Sequence, residues 1–142
     1  MTPPTIPGEA KLTLHVFGNS LEQLFESAAE ELFKKIINPD EVGETLREKI
    51  IVEAPDANGL IQAWANALLR LASDQKIIFK WARFQEFSLE RTGAGRLRAE
   101  IVGELVDPQR HTFKIQPSSL HCGPSELLNN SKTIEAQLFF IS

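Results

Sequence analysis

A two-layer α+β fold, with two main helices packed on one face of a mixed, mostly antiparallel β-sheet, is the architecture this chain predicts. Three observations predict it. Apolar residues recur at helical spacing in two stretches, 20–36 and 56–71. Apolar–polar alternation of period two precedes the first stretch and dominates the chain after Asp74. The resulting order is strand, helix, strand, helix and then several strands, which is the order of a sheet covered by two helices.

The first nine residues hold Pro3, Pro4 and Pro7, and are expected to form a flexible arm at 1–9 ahead of a single domain spanning 10–142. Leu12, Leu14 and Val16 alternate with Lys11, Thr13 and His15 as a half-buried strand. Gly18 and Asn19 end it, and Ser20 with Gln23 makes a capping box for a helix over Ser20–Ile36. Leu21, Leu24, Phe25, Ala28, Leu32, Phe33 and Ile36 form its apolar stripe. Glu30–Lys34 and Glu31–Lys35 stand in the favourable four-apart order on the other face. Pro39 breaks the helix, and a strand follows around 44–53 with the β-branched run Ile50, Ile51, Val52. Asp56 caps a second helix over Asp56–Leu71, striped by Leu60, Trp64, Leu68 and Leu71. Over 77–89 the alternation slips between Trp81 and Phe84, the signature of a bulge or a break into two strands. Thr92 to Gly95 reads as a hairpin turn. Beyond it Leu97, Ala99, Ile101, Gly103 and Leu105 face one way, with Arg96, Arg98, Glu100, Val102 and Glu104 facing the other. Asp107-Pro108 starts a loop, and two weaker strands fit near 112–121 and 133–141. Gly123-Pro124-Ser125 and Asn129-Asn130-Ser131 mark a loop between them.

Composition narrows the class. Apolar residues make up 42% and charged residues 24% of 142, ordinary globular usage that excludes disordered, collagen-like and coiled-coil chains. A net charge of −4 argues against a duplex-DNA face or an anionic membrane surface. The single cysteine, Cys122, has no internal disulfide partner and no Cys-x-x-Cys zinc pair. No basic, apolar leader and no stretch of about 18 apolar residues is present, so a cytoplasmic protein is expected.

Three blocks carry a family likeness. Gly18-Asn-Ser-Leu-Glu-Gln-Leu-Phe-Glu-Ser-Ala-Ala29 resembles the archease signature Gly-x-Ser/Thr-Leu-Glu-Glu ahead of Phe-Glu-x-Ala-Ala. Leu60 through Trp64-Ala-Asn-Ala-Leu-Leu69 resembles that family's second helix, and Gly103-Glu-Leu-Val-Asp-Pro-Gln-Arg-His111 its Gly-Glu-x-x-Asp-x-x-x-His segment. All three stand in the family's order, and the likeness runs from about 10 to 141. The resemblance implies a non-catalytic, chaperone-like accessory protein of an RNA- or tRNA-processing enzyme. Its partner would be the GTP-dependent RNA ligase RtcB or a tRNA methyltransferase. It also implies an acidic calcium-binding cluster, with one aspartate entering the first strand and another in the last. Here the chain departs from the pattern. Lys11 falls at the first of these aspartates, Ile141 at the second, and Ser118 where the family places a lysine. A hard divalent cation needs several oxygen ligands, usually with at least two carboxylates, so no metal or other cofactor is expected.

The polar motif left intact supplies the expected partner contact: Asp107, Arg110 and His111. Asp107 and His111 suit either an exposed docking loop or a turn in which Asp107 accepts backbone N–H groups and His111 packs inward. A weak enzyme using Asp107, His111 and Cys122 ranks last, since neighbouring His121 and Cys122 point to opposite faces of a strand. Trp64 fits a core anchor better than a stacking platform. Arg70, Lys76, Lys80, Arg83, Arg91, Arg96 and Arg98, with the aromatics between them, make direct RNA binding the alternative from another class.

Overall fold

The computed structural model describes residues 10–89, 93–129 and 133–141. The arm at 1–9, Arg91, Thr92 of the hairpin turn, and Asn130 and Ser131 lie outside the described residues. Strand β1 covers Ala10–Gly18 and helix α1 Leu21–Ile36. The Ser20 hydroxyl accepts the Gln23 N–H at 3.1 Å. Gln23 answers one residue early, its side-chain oxygen accepting the Asn19 N–H at 2.6 Å. The expected stripe is buried except for the half-buried Leu21, but the ion pair on the outer face is Glu31–Lys34 at 3.5 Å, three apart rather than four.

Strand β2 spans Leu46–Ala54 and helix α2 Ala57–Asp74, one turn longer than expected, with Asp56 as N-cap to the Gly59 N–H at 2.6 Å. β3 is one unbroken strand, Ile77–Leu89. Its register against β4 (Gly95–Leu105) skips at Lys80 and again at Gln85, and these two bulges absorb the phase slip seen in the sequence. Gly103 is required opposite the first bulge, because a β-carbon there would run into the Ile78 carbonyl oxygen.

The C-terminal strands differ from expectation. Over 112–121 only His121–Cys122 is strand (β5), because Pro117 lacks a ladder N–H and starts a short 3₁₀ turn through Ser119. Glu126–Asn129, placed in a loop by its flanking turn residues, forms β6 instead, and β7 covers Ile134–Ile141. The strands divide between two sheets, β1-β7-β5 with β6 also on β7, and β2-β4-β3. Every pairing among the described residues is antiparallel, so the single mixed sheet becomes two antiparallel ones within the same α+β class.

The helices join the sheets. α1 packs on β1 and β3, and α2 on β2, β3 and β5. Trp64 is fully buried at their junction, its ring 5.2 Å from Phe84 and its indole N–H donating to the Phe25 carbonyl at 3.0 Å. Polar residues four apart on α2 hold the short strands. The Asn66 amide both accepts the Cys122 N–H at 2.8 Å and donates to the Cys122 carbonyl at 3.0 Å. Gln62 adds a donor to that carbonyl, and Asn58 accepts the Leu127 N–H. Truncating Trp64 or Phe25 to alanine removes a fully buried ring, and urea unfolding of either variant is expected to show a loss of about 3–5 kcal/mol.

Candidate functional site

The alternation along β4 holds through Ile101 and then fails. Val102 and Glu104, expected to face solvent, are buried, and Leu105, expected inside, is 62% exposed. The physical reason is a cover over this end of the sheet. Glu104 Oε1 accepts the Gly43 N–H at 2.8 Å, the Arg110 guanidinium at 2.7 Å and His111 Nε2 at 2.7 Å. Segments distant in sequence thus converge on one carboxylate oxygen. The Gly43 amide holds the Glu104 carboxyl down most strongly, with His111 and Arg110 assisting against the opposing effect of burial, and its pKa falls from 4.5 to about 2.

His111 is wholly enclosed, and its tautomer follows from its partners. Nδ1 accepts the Asp107 backbone N–H at 2.8 Å, so it carries no proton; Nε2 therefore bears the hydrogen and donates it to Glu104. The Asp107 carbonyl accepts the N–H groups of Arg110 and His111, and its carboxylate accepts that of Gln109. Asp107–His111 is therefore a tight turn with His111 as its inward anchor and Pro108, Gln109 and Arg110 exposed. Sequence reasoning missed Glu104. The available signal was its place in the Gly103–His111 motif, seven residues ahead of a histidine.

Beside the turn lies an open groove of about 700 Å³, between the end of α2, Val106–Phe113 and the Pro117–Ser119 turn, with His111 and Ser118 in its lining. Positions 11 and 141 belong to the β1–β7 pair, where the register steps from Ala10–Ile141 to Leu12–Phe140 and Lys11 falls in the irregularity between. Ile141 also faces His121 of β5. The backbone thus brings positions 11 and 141 onto neighbouring strands, but an ammonium and a butyl group do not fit a calcium ion. Among the described residues, no three His, Cys, Asp or Glu side chains gather as a metal site.

The remaining candidates do not converge. Cys122 is buried, its thiol pushed up to about 11 by that burial, whereas His121 points out to solvent. The basic stretch is dispersed. Arg96 is held between Glu53 at 2.8 Å and Glu86 at 3.0 Å, and Lys80 donates to the Pro39 and Val42 carbonyls. Arg70 lies on α2, and Lys76 lines the groove. Phe84 and Phe87 turn inward onto Trp64 and Phe25, leaving Trp81, with Arg83 5.3 Å over its ring, as the aromatic on the outer face. No helix among the described residues is long and apolar enough to cross a membrane.

Two helices over two antiparallel sheets, with a buried carboxylate fixing a turn at one end, define a small two-layer α+β domain. Comparison with known proteins places that domain. The profile of the Archease protein family (MTH1598/TM1083) matches residues 5–117. The archease of Methanosarcina acetivorans is 31% identical over 130 residues, covering 91% of this chain and 88% of its own. That of Pyrococcus abyssi is 31% identical over 106 residues, covering 74% and 72%. The solution structure of Methanobacterium thermoautotrophicum protein 1598 superposes with a TM-score of 0.66 at 18% identity, over 92% of this chain and 91% of the other, a likeness of fold. The chain belongs to the archease family.

The Glu104 interaction makes stability depend on pH. Its folded pKa is depressed, so the stabilisation is complete above the unfolded value near 4.5 and is lost as pH falls towards about 2. Urea titrations of the parent across that window are expected to show a steep fall that the Glu104→Gln variant lacks in part.

Proposed function

We propose that this archease acts as a non-catalytic accessory protein of an RNA-processing enzyme, of the RNA-ligase-activator class, and docks through the Asp107–His111 turn without a metal ion. The observation that carries this reading is the cost of the turn. A fully enclosed histidine and a buried glutamate are both committed to holding it, and what it displays is Gln109, Arg110 and the half-buried Asp107. Nothing in that arrangement is poised to react, since His111 has both ring nitrogens engaged and Cys122 is buried as the neutral thiol. His111 contributes from inside, and the contact itself falls to Asp107 and Arg110. Ser118, across the groove, extends the same surface. Direct RNA contact is a lesser reading, supported by Trp81 and Arg83 alone.

Titrating the purified chain against a GTP-dependent RNA ligase tests the proposal. Asp107→Asn keeps an acceptor for the Gln109 N–H while removing the charge. Alone it is expected to move the melting temperature little. Combined with Arg110→Gln, which also takes the guanidinium away from Glu104 and so lowers the melting temperature, it is expected to weaken binding about tenfold, ~1.4 kcal/mol, in a chain that is still folded. Undiminished binding by that variant overturns the docking site. The metal question has its own measurement. The melting temperature is expected to be indifferent to calcium and to a chelator, whereas Lys11→Asp with Ile141→Asp should recover calcium-dependent stabilisation. Calcium stabilisation of the parent chain would show that oxygen ligands persist elsewhere.

A further inference from the structure

The two outer strands of the β2-β4-β3 sheet are finished differently. β3 carries bulges at Lys80 and Gln85, which twist an edge away from further pairing. β2 has none. Its nine residues run in unbroken register with β4, no proline interrupts them, and the elements packed on it are β4 beside it and α2 across one face. At its middle, on the face away from the helices, Ile51 is 57% exposed although flanked by Lys49 and Glu53. A regular edge with an exposed β-branched residue at its centre is a template for another strand.

We propose that the β2 edge pairs with β2 of a second copy of this chain, antiparallel, about a two-fold axis at Ile51. The sequence of the strand is self-complementary in that register and in no neighbouring one. On the outer face Ile51 meets Ile51 of the second copy, and Lys49 on each strand lies opposite Glu53 of the other. On the inner face Ile50 lies opposite Val52, twice, and Glu48 meets the small Ala54 at the strand's end. Moving the axis to Ile50 sets Lys49 against Ile51 and Glu48 against Val52, and moving it to Lys49 puts two ammonium groups face to face. A shift that interchanged the faces would bury the charged set. The charges that guard an edge against indiscriminate pairing therefore select one partner and one register. Both are available for the task. Lys49 makes no ion pair among the described residues, and Glu53, already taking Arg96, still has a side chain 62% exposed. The product is a continuous antiparallel sheet across two copies, β3-β4-β2 running into its symmetry mate, with an isologous interface of the kind a closed dimer requires.

Sedimentation velocity of the full chain at rising concentration, reaching about 100 µM, tests the association. A reversible doubling of mass is expected. Lys49→Glu and Glu53→Lys should each weaken it at least tenfold, because each sets like charges opposite one another, and the two changes together should restore it. Residues opposite one another in an antiparallel pair have α-carbons about 4.5–5.5 Å apart, within disulfide range. Ile51→Cys should therefore give a covalent dimer on mild oxidation, while Lys49→Cys, whose copies lie roughly 13 Å apart along the strands, should not. The native Cys122 is buried and leaves the assay clear. Thermal melts of each variant report folding independently. A folded chain that stays monomeric throughout, a dimer that ignores both charge reversals, or equal cross-linking at positions 49 and 51 would each overturn the proposal.

Discussion

One carboxylate oxygen organises the end of this molecule. Glu104 Oε1 receives a backbone amide from the segment after α1, an imidazole N–H and a guanidinium, and each donor belongs to a piece of chain with no regular structure of its own. Without that acceptor the half-buried Gly43 N–H and the Nε2–H of the enclosed His111 would lose their partner, and a buried donor without a partner is costly. The connection is also directional. Because Asp107 N–H points at Nδ1, the imidazole has a single tautomer, and the turn, the ring and the carboxylate are fixed by one another. The conformation of the exposed turn is thus decided by groups that solvent does not reach.

Much of the fold was legible because the two periodicities are clean. The caps at Ser20 and Asp56, the stripes under Phe25 and Trp64, and the bulged course of β3 all follow from local chemistry that a linear reading can see. What escaped it depends on partners remote in sequence. Alternation alone puts Glu104 in water; only the cover supplied by Gly43 and Arg110–His111 buries it. Short strands were equally opaque. β5 is two residues long, and its place is set by side chains of α2 rather than by any propensity of His121 and Cys122. The division into two sheets escaped for the same reason, since nothing local in β7 states that β1, β5 and β6 will all pair with it.

The candidate site was legible as residues and not as geometry. Asp107, Arg110 and His111 do fall together, but His111 serves from inside, Asp107 is half-buried and Arg110 is exposed. Lys11 and Ile141 stand on the adjacent strands β1 and β7, a neighbourhood set by a pairing between the two ends of the chain. Ser118 instead joins the groove beside the turn. The basic residues, contiguous in sequence, are scattered by the fold among carboxylates, carbonyl groups and separate faces. Proximity along the chain was a poor guide to charge density on a surface that alternates every residue.

The Asn66 amide gives the C-terminal sheet an unusual boundary. It offers Cys122 a donor and an acceptor at the spacing a neighbouring strand would, so the sheet ends on a side chain that belongs to a helix. Local opening of β5 cannot then proceed as the fraying of a short edge, because it must detach from α2 as well. The backbone amide of Cys122 should exchange its hydrogen at a rate characteristic of helix α2, not of a two-residue strand, which places the end of one sheet and the core of the molecule in the same cooperative unit.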